Sequence, residues 1–130
     1  MSNEDLTFTP EIKVEVKTEH VQSIKDLAEE QYAFIYHITI TNNLSYPAKL
    51  LSRKWLITDA NGKTSTVQGD GVIGQQPRIE PGESYEYSSG AIIETPVGTM
   101  QGSYIFIDDD KNMLQAEIPL FRLAVPNILN

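Results

Sequence analysis

At 130 residues, with 40% apolar and 22% charged side chains, the chain has enough apolar material for one packed core and too little for two, so a single domain over residues 1–130 is expected. The absence of cysteine excludes a disulfide framework, a thiolate zinc site and a thiol nucleophile, while a formal charge of −8 without any basic run opposes nucleic acid as a ligand. No apolar stretch approaches the roughly 18–20 residues of a membrane-spanning helix, and the acidic start Met1–Asp5 is unlike a secretion signal, which implies a cytoplasmic protein without membrane insertion.

Residues 1–10 carry no alternating pattern and are expected to fray. Strand character begins at Ile12–Lys17, where Ile12, Val14 and Val16 share one face and charges occupy the other. From Val21 to Gln31 the spacing changes: Val21, Ile24, Leu27 and Ala28 recur at helical intervals, predicting a short amphipathic helix or helical turn. Tyr32–Thr41 is the clearest strand, with Phe34, Tyr36, Ile38 and Ile40 on one side and His37, Thr39 and Thr41 on the other.

After a turn at Asn42–Pro47, Ala48–Asp59 reads as extended, with Leu51, Trp55 and Ile57 of one parity. Asn61-Gly62 predicts a type I′ hairpin, because both central residues of that turn need positive φ, and Lys63–Gln68 should return antiparallel. Glu80-Pro81-Gly82-Glu83 fits a type II turn ahead of a strand around Tyr85 and Tyr87. Thr99–Asp108 and Met113–Leu120 form a last pair, with Pro119 placed where the strand leaves its ladder; residues 126–130 should fray.

Short strands at roughly 8–12 residue spacing, without crossover helices, predict an all-β antiparallel sandwich of seven to nine strands. Trp55 resembles the buried tryptophan of immunoglobulin-like sandwiches, and the missing cysteine pair favours a fibronectin type III-like relative.

Two segments are candidate sites. Gly69-Asp70-Gly71-Val72-Ile73-Gly74 spells G-x-G-x-x-G, making Gly69, Gly71 and Gly74 candidate phosphate-binding positions. Pro77 and Pro81 forbid the helix whose N-terminus would hold the anion, so a glycine loop or bulge leaving a strand competes with that role. Asp108, Asp110 and Asn112 concentrate the hard oxygen ligands that Mg²⁺ and Ca²⁺ prefer, against the alternative of an acidic hairpin tip. Positions six and twelve from Asp108 are Met113 and Pro119, so the segment is no EF-hand.

His20 and His37 show no ligand spacing, and no nucleophile has a recognisable base beside it, so a non-enzyme needing no cofactor is expected. The six tyrosines and Trp55 are mostly core material, and any exposed surplus would mark a protein-binding face.

Several segments together resemble the ApaG family: Gln22-Ser23, Tyr32–Tyr36, Leu51–Trp55, Ile57–Gly62, Gly69–Pro77, Pro81–Glu83, Ser89-Gly90, Thr95–Met100, Gly102–Tyr104 and Ile118–Phe121. They span residues 12 to 126, the expected ordered core of an ApaG-type domain. The resemblance implies a fibronectin type III-like sandwich, a genetic association with cobalt resistance and magnesium efflux, and no known enzymatic step. Related domains in larger eukaryotic proteins, F-box proteins among them, point to an unidentified protein partner, with a homodimer left open. Lys54 stands where the family often has His before the Trp, which weakens a metal role there, and the segment Ile24–Gln31 is longer than usual.

Overall fold

The structure, a computed structural model, describes residues 6–21 and 30–126. Among these residues nine strands follow in chain order: β1 (Leu6–Phe8), β2 (Ile12–Val21), β3 (Tyr32–Asn42), β4 (Ala48–Asp59), β5 (Thr64–Asp70), β6 (Arg78–Ile79), β7 (Ser84–Ile93), β8 (Val97–Asp108) and β9 (Met113–Ala124). They form two sheets, β1-β9-β8-β4-β5 with β6 also on β4, and β2-β3-β7. The fold is the expected fibronectin type III-like sandwich. The amphipathic turn expected at Val21–Gln31 lies largely outside the described residues, and Val21 itself ends β2.

Period-two alternation supplies both inner faces. Ile12 and Val14 of β2, with Phe34, Tyr36, Ile38 and Ile40 of β3, face Leu50 and Trp55 of β4, Met100, Tyr104 and Phe106 of β8, and Leu114, Ala116, Ile118 and Leu123 of β9. Trp55 is the hub, its ring centroid 5.2 Å from Tyr36, 5.8 Å from Phe121 and 6.4 Å from Tyr104. These tilted and edge-on contacts are the arrangements that ring quadrupoles favour.

The expected common parity of Leu51, Trp55 and Ile57 is corrected by a bulge. The β4–β8 register slips between Leu50 and Ser52, so the even-numbered Leu50 and the odd-numbered Trp55 both reach the core while Leu51 is only half-buried. A second slip spares the β9 ladder. Met100 pairs with Phe121 and Gly102 with Ile118, leaving Pro119 and Leu120 opposite Gln101 alone. Pro119 therefore does not end the strand; its missing N–H falls in the bulge, and pairing resumes through Ala124.

Leu6–Phe8, expected to fray, instead pairs in parallel with Met113–Gln115 of β9. Three residues are too few for alternation to register, and the partner lies at the far end of the chain.

The turns divide in the same way. Gly82 has φ +80° and the Glu83 N–H donates to Glu80 O at 3.0 Å, as a type II turn requires. Asn61 lacks positive φ, so the type I′ expectation is corrected. Asp59 N–H donates to Lys63 O, Gly62 N–H to Asp59 O, and Gly62 alone takes φ +82°: a three-residue loop closed by a left-handed glycine. Asp59 Oδ1 accepts the N–H groups of Asn61 and Lys63, which favours this wider loop over the two-residue one.

Asn42 joins β3 to the opposite sheet. Its Nδ2 donates to Tyr46 O at 3.0 Å and Ile79 O at 2.9 Å, and its Oδ1 accepts the Leu44 N–H at 2.9 Å. A buried amide is satisfied here at both ends.

Candidate functional site

The glycine segment continues β5 past its end. No helix follows Gly74; the chain makes a tight turn in which Val72 and Gln75 exchange backbone hydrogen bonds of 2.8 and 2.9 Å. Both central residues have positive φ, Ile73 at +46° and Gly74 at +74°, so the type I′ geometry expected at Asn61-Gly62 occurs here instead. A β-branched residue in the left-handed region is strained, by about 1–2 kcal/mol, and Ile73 is also 60% exposed.

Of the three glycines, Gly71 is the one that packing demands: a Cβ there would lie 2.2 Å from Gln75 O. Its N–H is already donated to Leu51 O at 2.7 Å. The Arg53 guanidinium lies over the segment, donating from Nη1 to the carbonyls of Asp70 (3.1 Å) and Gly71 (2.9 Å) and closing on Gly69. Gly69 thus lies within β5 and only Gly71 and Gly74 sit on the loop after it, with the Gly71 amide engaged and the carbonyls of Asp70 and Gly71 tied to a cation.

Asp108, Asp110 and Asn112 are brought together at the β8–β9 hairpin. Asp108 Oδ1 accepts the N–H groups of Asp110 (2.9 Å) and Asn112 (2.8 Å), and Oδ2 accepts Asn112 Nδ2 (3.0 Å). Lys111 takes φ +69° where the Asp59 loop has Gly62, so both loops share one architecture with an aspartate capping each. Desolvation pushes the Asp108 carboxyl up, but the donors from Asn112 and Asp110 together outweigh it and hold the group below the usual carboxylate range. Asp109, between the two candidate aspartates, is gripped by both terminal nitrogens of Arg78, and that guanidinium holds its carboxyl low.

The outer face of the larger sheet carries a groove of about 760 Å³ running from Leu6 and Phe8 on β1, past Ile105 and Ser103, to Lys54, Gln68 and Asp70. Phe8 is 58% exposed there. The groove ends at β5, which among the described residues is an edge strand paired only to β4. Among the tyrosines only Tyr46 is exposed, whereas Tyr87 and Tyr104 bond hydroxyl to hydroxyl inside the sandwich, where desolvation pushes both phenols up. The exposed aromatic that joins a larger surface is therefore Phe8, which no alternation pointed to.

On the outer face of β2-β3-β7, cross-strand register sets His37 opposite Ser88 and Thr41 opposite Ser84. His37 also reaches Glu19 on β2. The sequence placed His37 and Thr41 on one face but gave no sign of these neighbours, which lie 51, 18 and 43 residues away.

The family model described as the ApaG domain matches residues 22–108. Protein ApaG of Aromatoleum aromaticum is 51% identical over 119 residues, covering 92% of this chain and 94% of its own length. Protein ApaG of Vibrio vulnificus is 53% identical over 121 residues, covering 93% of this chain and 96% of its own. Among solved structures, one described as the putative ApaA protein from Bordetella pertussis superposes with a TM-score of 0.85 at 40% identity, covering 90% of this chain and 95% of that one.

Proposed function

The chain belongs to the ApaG domain family, and from that premise we propose that it works as a non-enzymatic accessory module whose β5 edge receives an extended segment of a partner protein. The supporting observation is the edge itself, which no other strand covers among the described residues. Thr64-Ser65-Thr66-Val67-Gln68-Gly69-Asp70 holds no Lys, no Pro and no charge before Asp70, whereas the β2 edge alternates Lys13, Glu15, Lys17 and Glu19. Asp59 N–H bonds to Lys63 O and Gly71 N–H to Leu51 O, so odd-numbered residues of β5 face β4. By antiparallel alternation, Thr64, Thr66 and Gln68 turn their N–H and C=O groups to the open side. A strand added there gains main-chain hydrogen bonds, and its alternate side chains reach the groove ending at Phe8.

This reading is set ahead of the other two segments because the Gly71 amide is bonded to Leu51 and the Asp108 oxygens to their own loop. The module's role is proposed to lie in cobalt resistance and magnesium efflux, as an accessory to transport. Among the described residues no helix is long and apolar enough to cross a membrane.

The test compares tagged wild-type protein with Thr66→Pro and Gln68→Pro in pull-downs from cells. Proline at either position removes an outward N–H and leaves the β4 ladder intact, so thermal melting should stay within a few degrees. A defined partner captured by wild type and lost with both prolines supports the role. Nothing enriched above background refutes a binding module, a partner retained by both variants refutes the β5 edge, and a wild-type dimer in sedimentation that the prolines dissociate replaces the foreign partner with a second copy.

A further inference from the structure

The outer face of the smaller sheet holds a hydrogen-bonded line that the binding role does not use. Ser88 Oγ lies 2.6 Å from His37 Nδ1, and His37 Nε2 lies 2.9 Å from Glu19 Oε2. Each residue comes from a different strand, β7, β3 and β2, and all three are fixed by the ladders of one sheet. With the imidazole neutral and the carboxylate ionised, the carboxylate has no proton to give, so the ring hydrogen sits on Nε2 and is donated to Glu19. Nδ1 then keeps its lone pair and accepts the Ser88 hydroxyl proton. This is the tautomer that a base acting on a serine needs.

Ser84 provides a built-in contrast. It stands four residues earlier on the same face of β7 and is likewise exposed, but its hydroxyl is 2.8 Å from Thr41 Oγ1, which is no base. Beside Ser88 a cleft of about 340 Å³ is bounded by Glu15, Lys17, Thr39, Glu86 and Tyr87, open enough for a small aryl ester. Lys17 is directly opposite His37 in the β2–β3 register and is the cation of that cleft.

We infer that Ser88 is a nucleophile toward activated acyl donors of the aryl ester class, with His37 as its base and Glu19 as the positioning residue. Ser88 Oγ attacks the acyl carbon and forms the new C–O bond while its proton passes to His37 Nδ1. The bond to the aryl oxygen breaks, and the phenol leaves with that proton, so the products are O-acyl-Ser88 and a phenol. No redox partner enters. The reaction is a single acylation per chain, a modification of the protein in addition to its binding role.

The experiment exposes the full chain to p-nitrophenyl acetate and follows acetylation at Ser88 and Ser84 by peptide mass spectrometry. General-base assistance should make Ser88 about a hundred-fold faster than Ser84, the low end of what a positioned base contributes. His37→Asn and Glu19→Gln should each lower the Ser88 rate toward that of Ser84 and leave Ser84 unchanged, a split that general loosening of the sheet would not give. Equal rates at the two serines in the wild-type chain, or a Ser88 rate untouched by His37→Asn, overturns the assignment.

Discussion

Replacing Asn42 by alanine removes the clasp between β3, the following turn and β6. The side chain is 1% exposed and makes three hydrogen bonds, to Tyr46 O, Ile79 O and Leu44 N. At a net 0.5–1.5 kcal/mol each, the loss is about 1.5–4.5 kcal/mol. The upper part is expected, because the bond to Ile79 is buried, whereas water can reach Tyr46 at the surface. The backbone links of Asn42 to Glu83 and Gly82 survive the substitution, so the fold should persist with its stability reduced. Urea unfolding followed by the fluorescence of the single, buried Trp55 measures the change. Asn42→Asp should cost more than Asn42→Ala at neutral pH, since it turns the donor into an acceptor facing two carbonyl oxygens. A loss below about 1 kcal/mol at unchanged m, or an aspartate milder than alanine, would refute the role of the clasp.

Two further outcomes follow from particular contacts. Gly102→Ala would set a Cβ 2.0 Å from Lys54 O between two central strands and should prevent stable folding, whereas Gly90→Ala, with Phe34 O at 3.5 Å, should keep or slightly raise the melting temperature; equal melting of the two variants would contradict the packing. Because the Asp108 carboxyl is held below its ordinary range, its contribution is present above about pH 4 and lost as pH falls through the lowered value. Asp108→Asn should therefore narrow the gap between stability at neutral and acid pH, and an unchanged gap would count against the cap.

The strands were legible because their signals are local. Tyr32–Thr41 announces its two faces by itself, and Pro81-Gly82 specifies its turn within four residues. Asn61-Gly62 marked the right hairpin and the wrong turn, since the Asp59 carboxylate captures two amides and widens the loop. The bulges escaped notice because an extra residue at Leu51 or Pro119 is defined only against the partner strand. The candidate site residues of the glycine segment and the β8–β9 hairpin were visible as clusters, but the atoms that engage them, Leu51 O and the loop's own amides, were not.

Composition and period-two patterning alone determined an all-β sandwich, its apolar faces and most of its turns, because burying one side of a strand requires nothing beyond neighbours two residues apart. Register was decided only by the assembled sheets. It brings Leu6–Phe8 against β9, leaves β5 as an edge among the described residues, and sets Ser88 and Glu19 on either side of His37. Those pairings join residues tens of positions apart, and their energy exists only once both strands are in place, so no stretch of the chain records them.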